Sequence, residues 1–138
     1  MDVVEFRTSH HAELSKFWKL YGWTPPSEEM LPKKGFVAFF AGQVVGAAFV
    51  YLSCNGMAFL DWVIVDPIKS PILRGKAVYK TVLACRTYAK EQGKKVLYTV
   101  TANESLLRTY KKMGFENMEK NATTMAMSLD GYKTDFLR

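Results

Sequence analysis

The chain has only two cysteines, Cys54 and Cys85, among its 138 residues. Their sequence contexts match neither a metal-ligand spacing nor a redox-active pair, and they do not resemble a disulfide framework. We therefore expect no metal site, and a reducing cytoplasm is the simplest location for the protein.

Long apolar runs are also missing. The stretch from Phe36 to Tyr51 is interrupted by Gly42 and Gln43, whereas a helix that crosses a membrane needs about 20 consecutive apolar residues. The first residues, Met1 to Glu5, have neither the basic region nor the apolar run of a signal peptide. We expect no membrane partner.

Acidic residues are fewer than basic ones: 13 Asp and Glu against 19 Lys and Arg give a net charge of +6. A positive net charge of this size is compatible with binding to nucleic acid, to a membrane surface or to an anionic cofactor. The lysine pairs lie on separate predicted elements and lack an obvious aromatic stacking platform; they are Lys33-Lys34, Lys94-Lys95 and Lys111-Lys112. Nucleic acid is therefore the least favoured of the functions that we consider.

Apolar and aromatic residues, in contrast, are abundant, at 49% and 14% of the sequence. This composition is typical of a packed globular protein, and 138 residues suffice for one domain with its own core. We expect a single domain over residues 1–138.

Hydrophobic periodicity and turn residues predict a mixed α+β order of elements. The predicted strands are Val3–Arg7, Phe36–Phe40, Val44–Leu52, Met57–Val65, Val96–Val100, Phe115–Lys120 and Thr123–Leu129. The predicted helices include one with an apolar face from Leu14 to Tyr21, a short one at Ser27–Leu31, one at Lys76–Gln92 and one around Leu106–Met113. The segment Pro67–Gly75, which contains two prolines, is predicted to be a loop.

The segment Asn103–Phe115 is the most informative about function. Leu106, Tyr110 and Met113 recur at helical spacing, and Gly114 is well placed to end the helix because glycine adopts the left-handed conformation at little cost. A buried strand is predicted before the segment and another strand after it. Taken alone, this pattern also fits any strand–helix–strand unit with a glycine-capped helix.

This pattern resembles the C-terminal half of the GCN5-related N-acetyltransferases, the GNAT family, in which an Asn, a small residue, Leu-Tyr, Lys and Gly-Phe recur. The predicted order of elements is similar to that of the family as well, over about residues 3–129. The resemblance implies an α+β fold with a mixed, mostly antiparallel sheet of seven strands and four helices. It also implies an acetyl-CoA-dependent N-acetyltransferase in which a neutral primary amine attacks the co-substrate directly.

In the family, the pyrophosphate of acetyl-CoA lies on backbone amides where the helix after the fourth strand begins. The matching run here is Arg74-Gly75-Lys76-Ala77-Val78-Tyr79, in which Ala77 replaces a glycine and Tyr79 replaces a second small residue. The resemblance further implies that the backbone of Val63-Ile64-Val65 binds the pantetheine arm and polarises the acetyl carbonyl.

Tyr79 and the long Pro67–Gly75 loop depart from the family pattern. They support a rival interpretation, in which a degenerate GNAT fold binds a protein partner and performs no catalysis. We expect the Tyr79 ring to fill core space beside Val78 and Val82 rather than to occupy the cofactor groove.

Two residues are candidates for catalysis. Tyr110 matches the tyrosine with which many GNAT members protonate the departing thiolate, although it also fits a packed aromatic residue. Asp61 is the only carboxylate in the apolar run from Phe59 to Val63, so it is either the general base or a side chain that points to solvent or caps a bulge. Asn103 matches a residue that contacts the cofactor arm, and it fits equally well as a helix cap.

The resemblance places the acceptor amine over the first helix, the segment Trp23–Lys34 and the last predicted hairpin. Glu28 and Glu29 can attract a cationic amine there, but they also fit charges at the start of a helix. The acceptor is a small molecule or a protein amine, and a homodimer is left open.

Overall fold

The computed structural model describes residues 1–129 and 131. Its strands form one five-stranded sheet in chain order: β1 (Asp2–Glu5), β2 (Lys34–Phe40), β3 (Gln43–Leu52), β4 (Met57–Val65) and β5 (Val96–Tyr98). Neighbouring strands from β1 to β4 are antiparallel, whereas β5 runs parallel to β4. The α-helices are α1 (His11–Leu20), α2 (Pro71–Glu91) and α3 (Glu104–Lys112), and short 3-10 helices occur at Thr8–His10 and Glu28–Met30.

The helices cover the two faces of this mixed sheet. On one face, Phe49 of β3 packs in a buried cluster with Leu14 and Trp18 of α1. On the other face, Val50 packs in a second cluster with Val82 of α2, and α3 contributes to the same cluster. Because successive residues of a strand point to opposite faces, the alternating pattern of β3 places apolar side chains in both clusters. We refer to these two sides of the sheet as the α1 face and the α2 face.

Helix α2 begins earlier than the sequence predicts. Ser70 is its N-cap, with Oγ accepting the backbone N–H of Leu73 at 3.2 Å, and Pro71 is the first helical residue. A serine cap followed by proline is a favoured helix start, because proline lacks the N–H that would be left without an intrahelical partner. The predicted loop therefore ends at Ser70, and Gly75 lies within the helix.

The predicted strands Phe115–Lys120 and Thr123–Leu129 are wrong, since residues 115–129 form no strand in the structure. The side chains of Met125 and Met127 are 89% and 82% exposed. Their alternation has the period of a strand, but a strand also needs a neighbour that pairs with its backbone.

The short helix predicted at Ser27–Leu31 is only the 3-10 turn Glu28–Met30. The domain predicted to extend to Arg138 includes residues 130 and 132–138, which lie outside the described residues.

The described residues contain neither a membrane-spanning helix nor a cluster of metal ligands. No helix there has both the length and the apolarity that crossing a bilayer would require. No group of three or more His, Cys, Asp and Glu side chains in that part of the chain could hold a metal ion. Cys54 is exposed and Cys85 is buried, and both are free thiols.

Candidate active site

Strands β4 and β5 separate after a short parallel ladder. Met57, Ala58 and Phe59 pair with Val96, Leu97 and Tyr98, and no register continues beyond Phe59 and Tyr98 in the described sheet. The remaining part of β4, which includes Val63, Ile64 and Val65, pairs through Ile64 and Val65 with β3. In this opening between β4 and β5, the edge of β4 beyond Phe59 therefore has no paired strand in the described sheet, the arrangement that the family resemblance implies for a pantetheine arm.

A β-bulge bends β4 at this opening. Ala47 pairs with Ile64 and Phe49 with Asp61, so Trp62 and Val63 together lie opposite one residue of β3. Trp62 has a φ of 54°, a left-handed conformation that is unusual for a residue other than glycine. The extra residue changes the direction of β4 next to the point where β5 stops pairing with it.

Tyr110 lies at the base of the opening on the α2 face, and its side chain is 2% exposed. The hydroxyl of Tyr110 is hydrogen-bonded to the side chain of Thr99, and Thr99 Oγ1 donates to the carbonyl oxygen of Leu60 at 3.0 Å. Burial raises the pKa of Tyr110 above its ordinary value, and the charge of Asp61 adds to this effect. The phenol is therefore held in its protonated form, which is the form that a general acid requires.

Asp61 lies at the same opening but on the α1 face, since it pairs directly with Phe49. Its side chain is exposed, and Oδ1 accepts the backbone N–H of Trp62 at 2.7 Å. Its charge also contributes to raising the pKa of Tyr51, after the larger effect of burial. Asp61 is thus an exposed carboxylate that binds the backbone at the bulge, close enough to influence tyrosines on both faces of the sheet.

The residues from Arg74 to Val78 lie in the first two turns of α2. The Arg74 N–H donates to Ser70 O at 2.9 Å, the Leu73 N–H is bonded to Ser70 Oγ, and Pro71 has no N–H. These three positions offer no free N–H to a phosphate, in contrast to the expected loop of amides. Ala77 and Val78 are buried against the sheet, and Gly75 and Lys76 are exposed.

Arg74 has a buried polar atom for which the described residues provide no partner. Its Nε is inaccessible to solvent, and the Nε–H donates a hydrogen bond to no atom of the described residues. Arg74 stands one turn before Val78, which packs in the same cluster as Tyr110. A buried guanidinium nitrogen without a partner is costly, so this position suits an anionic group that binds near the start of α2.

Tyr79 is not part of the core, so our expectation for this residue was wrong. Its side chain is 48% exposed, and it lines a groove of about 390 Å³ together with Met1, Phe40 and Lys80. Met1 and Phe40 belong to the β1–β2 side of the sheet, the edge opposite β5. Tyr79 therefore lies away from the opening between β4 and β5 as well, because it is on the flank of α2 that faces β1.

Asn103 is the N-cap of α3, where its Oδ1 accepts the Leu106 N–H at 2.9 Å. Sequence reasoning left this cap as one of two alternatives.

Sequence reasoning missed Thr99 and Tyr51, whose hydroxyl groups make hydrogen bonds beside the opening. Thr99 directly follows the third residue of β5, and a threonine at a strand end gives no distinctive signal. Tyr51 lies in an apolar strand pattern, where it is indistinguishable from a packing residue.

Known proteins with the same architecture were found by comparing structures. A GNAT-family acetyltransferase from Staphylococcus aureus Mu50 is 17% identical, with 89% of each chain covered and a TM-score of 0.68. A Mycobacterium tuberculosis protein in complex with CoA is 17% identical, with 90% of this chain and 76% of that chain covered and a TM-score of 0.67. The aminoglycoside N-acetyltransferase AAC(6')-Iy in complex with CoA is 18% identical, with coverage of 92% and 100% and a TM-score of 0.65.

The chain has the GNAT fold. No protein-family model and no curated protein sequence matches it, so the likeness is one of structure at low sequence identity. Within the GNAT fold, this protein keeps the order of elements from β1 to α3 that the sequence predicts. Its α2 begins at Pro71, and its residues 115–129 form no strand.

Proposed function

We propose that the protein is an acetyl-CoA-dependent N-acetyltransferase that acts on a small-molecule primary amine. The observation that carries the proposal is the arrangement of Asp61 and Tyr110 on opposite faces of the sheet, at the opening where β4 and β5 separate. The GNAT fold supports it, because structures of this fold include proteins in complex with CoA.

The thioester of acetyl-CoA would lie in this opening, along the backbone of Val63, Ile64 and Val65. The buried Nε of Arg74 would contact a phosphate oxygen, since it lacks a partner in the described chain. The phosphate contact would then depend on this side chain more than on backbone amides, because Leu73 and Arg74 already use their N–H groups within the helix start. Asn103 keeps its side-chain NH2 as a donor for the cofactor arm while its oxygen caps α3.

The proposed reaction forms one bond to the acetyl carbonyl carbon, breaks another, and moves two protons. The amine nitrogen, approaching from the α1 face, forms a C–N bond with the acetyl carbonyl carbon, and the C–S bond then breaks. Asp61 accepts the proton that the nitrogen loses, directly or through a water molecule, and Tyr110 gives its proton to the departing thiolate on the α2 face. Holding both reactants in one opening would supply much of the rate enhancement.

The test is the chromatographic measurement of free CoA after incubation with acetyl-CoA and a panel of primary amines. We expect release of CoA that depends on the amine, and Asp61→Asn should lower kcat/KM by about 100-fold or more. Asp66→Asn is the matched control, because this carboxylate follows β4, outside the proposed catalytic pair, and accepts the Ile68 N–H at 3.0 Å. If no amine increases CoA release, the proposal fails and the non-catalytic, degenerate alternative takes its place.

A further inference from the structure

The α1 face around Asp61 is bordered by aromatic side chains. Asp61 and Phe59 are two residues apart on β4, Phe59 pairs with Tyr51 on one side, and Phe59 pairs with Tyr98 on the other. Directly paired residues of neighbouring strands project to the same face, so all four side chains share the α1 face. The rings of Phe59 and Tyr98 are in edge contact, with centroids 5.7 Å apart and an angle of 74° between planes.

Hydrogen bonds fix the positions of the Tyr51 ring and of the Trp62 ring beside it. Trp62 Nε1 donates to the Tyr51 hydroxyl at 2.7 Å, and this hydroxyl in turn donates to the carbonyl oxygen of Met30 at 2.6 Å. The Trp62 ring also makes an edge contact with Trp18 of α1, at 6.3 Å between centroids. The polar atoms of Tyr51 and Trp62 are thus engaged within the protein, and their ring carbons form the wall.

The surface combines an apolar wall with the carboxylate of Asp61. Phe59 is 36% exposed, which leaves part of its ring accessible, and Tyr98 is partly buried beside it. Asp61 adds an exposed carboxylate two residues along the same strand. An ammonium group suits the carboxylate, and an aromatic ring suits Phe59 and Tyr98, where edge-to-face contacts are favourable.

We propose that the acceptor is an arylalkyl primary amine, with its nitrogen at Asp61 and its ring against Phe59 and Tyr98. This inference rests on the proposed N-acetyltransferase function, of which it names the substrate class. A short alkyl chain between ring and nitrogen matches the two-residue spacing on β4, since side chains at i and i+2 project in parallel about 7 Å apart. A polyhydroxylated amine fits less well, because ring carbons leave its hydroxyl groups without hydrogen-bond partners.

The experiment compares kcat/KM for 2-phenylethylamine, ethanolamine and the polyhydroxylated amine neamine, at saturating acetyl-CoA. We expect 2-phenylethylamine to exceed ethanolamine by about 10- to 100-fold, the range given by burying one aromatic ring. Phe59→Ala should remove most of this ratio and change the value for ethanolamine little. Phe40→Ala is the control, because Phe40 is also an exposed phenylalanine, at 48%, but lies on β2.

Equal kcat/KM values for the two simple amines, a preference for neamine, or a Phe59→Ala variant that loses both amines alike would overturn the inference while leaving the N-acetyltransferase function intact. If no amine releases CoA, the proposed function itself fails. Calorimetric titration with 2-phenylethylamine then decides the inference separately: binding that Phe59→Ala weakens and Phe40→Ala retains supports the aromatic site, and no binding at millimolar amine rejects it.

Discussion

At the scale of single residues, the proposed chemistry depends on the contacts that hold Tyr110. The ring is buried beside Phe115, with centroids 5.2 Å apart, and the hydroxyl is bonded to Thr99. The substitution Tyr110→Phe separates the two contacts, because it keeps the ring packing and removes only the hydroxyl. Tyr88 offers a comparison, because it packs against the same cluster but its ring contacts Phe36 and Lys34.

We predict that Tyr110→Phe lowers kcat by about 100-fold, because the thiolate then departs without a proton donor. The cost in the free energy of unfolding should be about 1 kcal/mol, the net value of one hydrogen bond. Steady-state kinetics and urea unfolding check the two parts, with Tyr88→Phe as the control that keeps the parent kcat. An unchanged kcat in a reaction limited by chemistry would make Tyr110 a packing residue only.

A second prediction concerns pH. Because burial raises the pKa of Tyr110 above its ordinary value of 10.0, the acid stays protonated throughout the neutral and mildly alkaline range. We expect kcat/KM to rise with pH as the amine loses its proton, without a decline from Tyr110 up to about pH 9.5. The pH–rate profile of the parent measures this. A decline between about pH 8 and 9 that disappears in Tyr110→Phe would contradict the assignment.

Tyr110 could be named as a candidate from the sequence because the segment from Asn103 to Phe115 resembles a GNAT pattern. Sequence reasoning could not find the contacts that give Tyr110 its environment. The partner Thr99 lies on a different element, and the left-handed conformation of Trp62 follows from how β3 and β4 pair. Neither feature has a local sequence pattern, since both arise from residues that are distant in the chain.

At the scale of elements, the start of α2 and the pairing of β3 with β4 shape the site. The Ser70-Pro71 start was open to prediction, because serine before proline is a helix-start signal, but two prolines in one segment also favour a loop. Gly46 of β3 and Gly75 of α2 differ in the space around their Cα atoms. An added Cβ at Gly46 would lie 2.8 Å from Ile64 O, whereas one at Gly75 would meet no described heavy atom within 4 Å.

We therefore predict opposite effects for the same substitution at these two positions. Gly46→Ala should destabilise the fold by about 1–3 kcal/mol, because the backbone of β4 must move away at the opening. Gly75→Ala should stabilise it by about 1 kcal/mol, because alanine is the better residue inside a helix. Thermal and urea unfolding of the two variants measure this. A loss of stability in Gly75→Ala would show that α2 does not begin at Pro71.

At the scale of the whole molecule, the sheet separates the two proposed catalytic residues and opens between them. Much of this architecture could be predicted from the sequence: β4 has the predicted bounds Met57–Val65, and the order of elements through α3 follows the alternation of apolar patterns. The prediction of the last hairpin was wrong. The alternation of Met125 and Met127 has the period of a strand, but a sequence pattern does not show which strand would pair with it. The point at which β4 and β5 separate depends on how the two strands pair. The sequence of one strand does not determine this pairing register.

The central claim is that acetyl-CoA binds in the opening between β4 and β5 with a phosphate at Arg74. Isothermal titration calorimetry with acetyl-CoA tests it, on the parent, on Arg74→Glu and on the matched control Arg86→Glu, an exposed position further along α2. We predict micromolar binding by the parent and the control, and at least about tenfold weaker binding by Arg74→Glu, because a carboxylate would repel the phosphate. No heat of binding by the parent at millimolar acetyl-CoA, or equal affinity of all three proteins, would contradict the account.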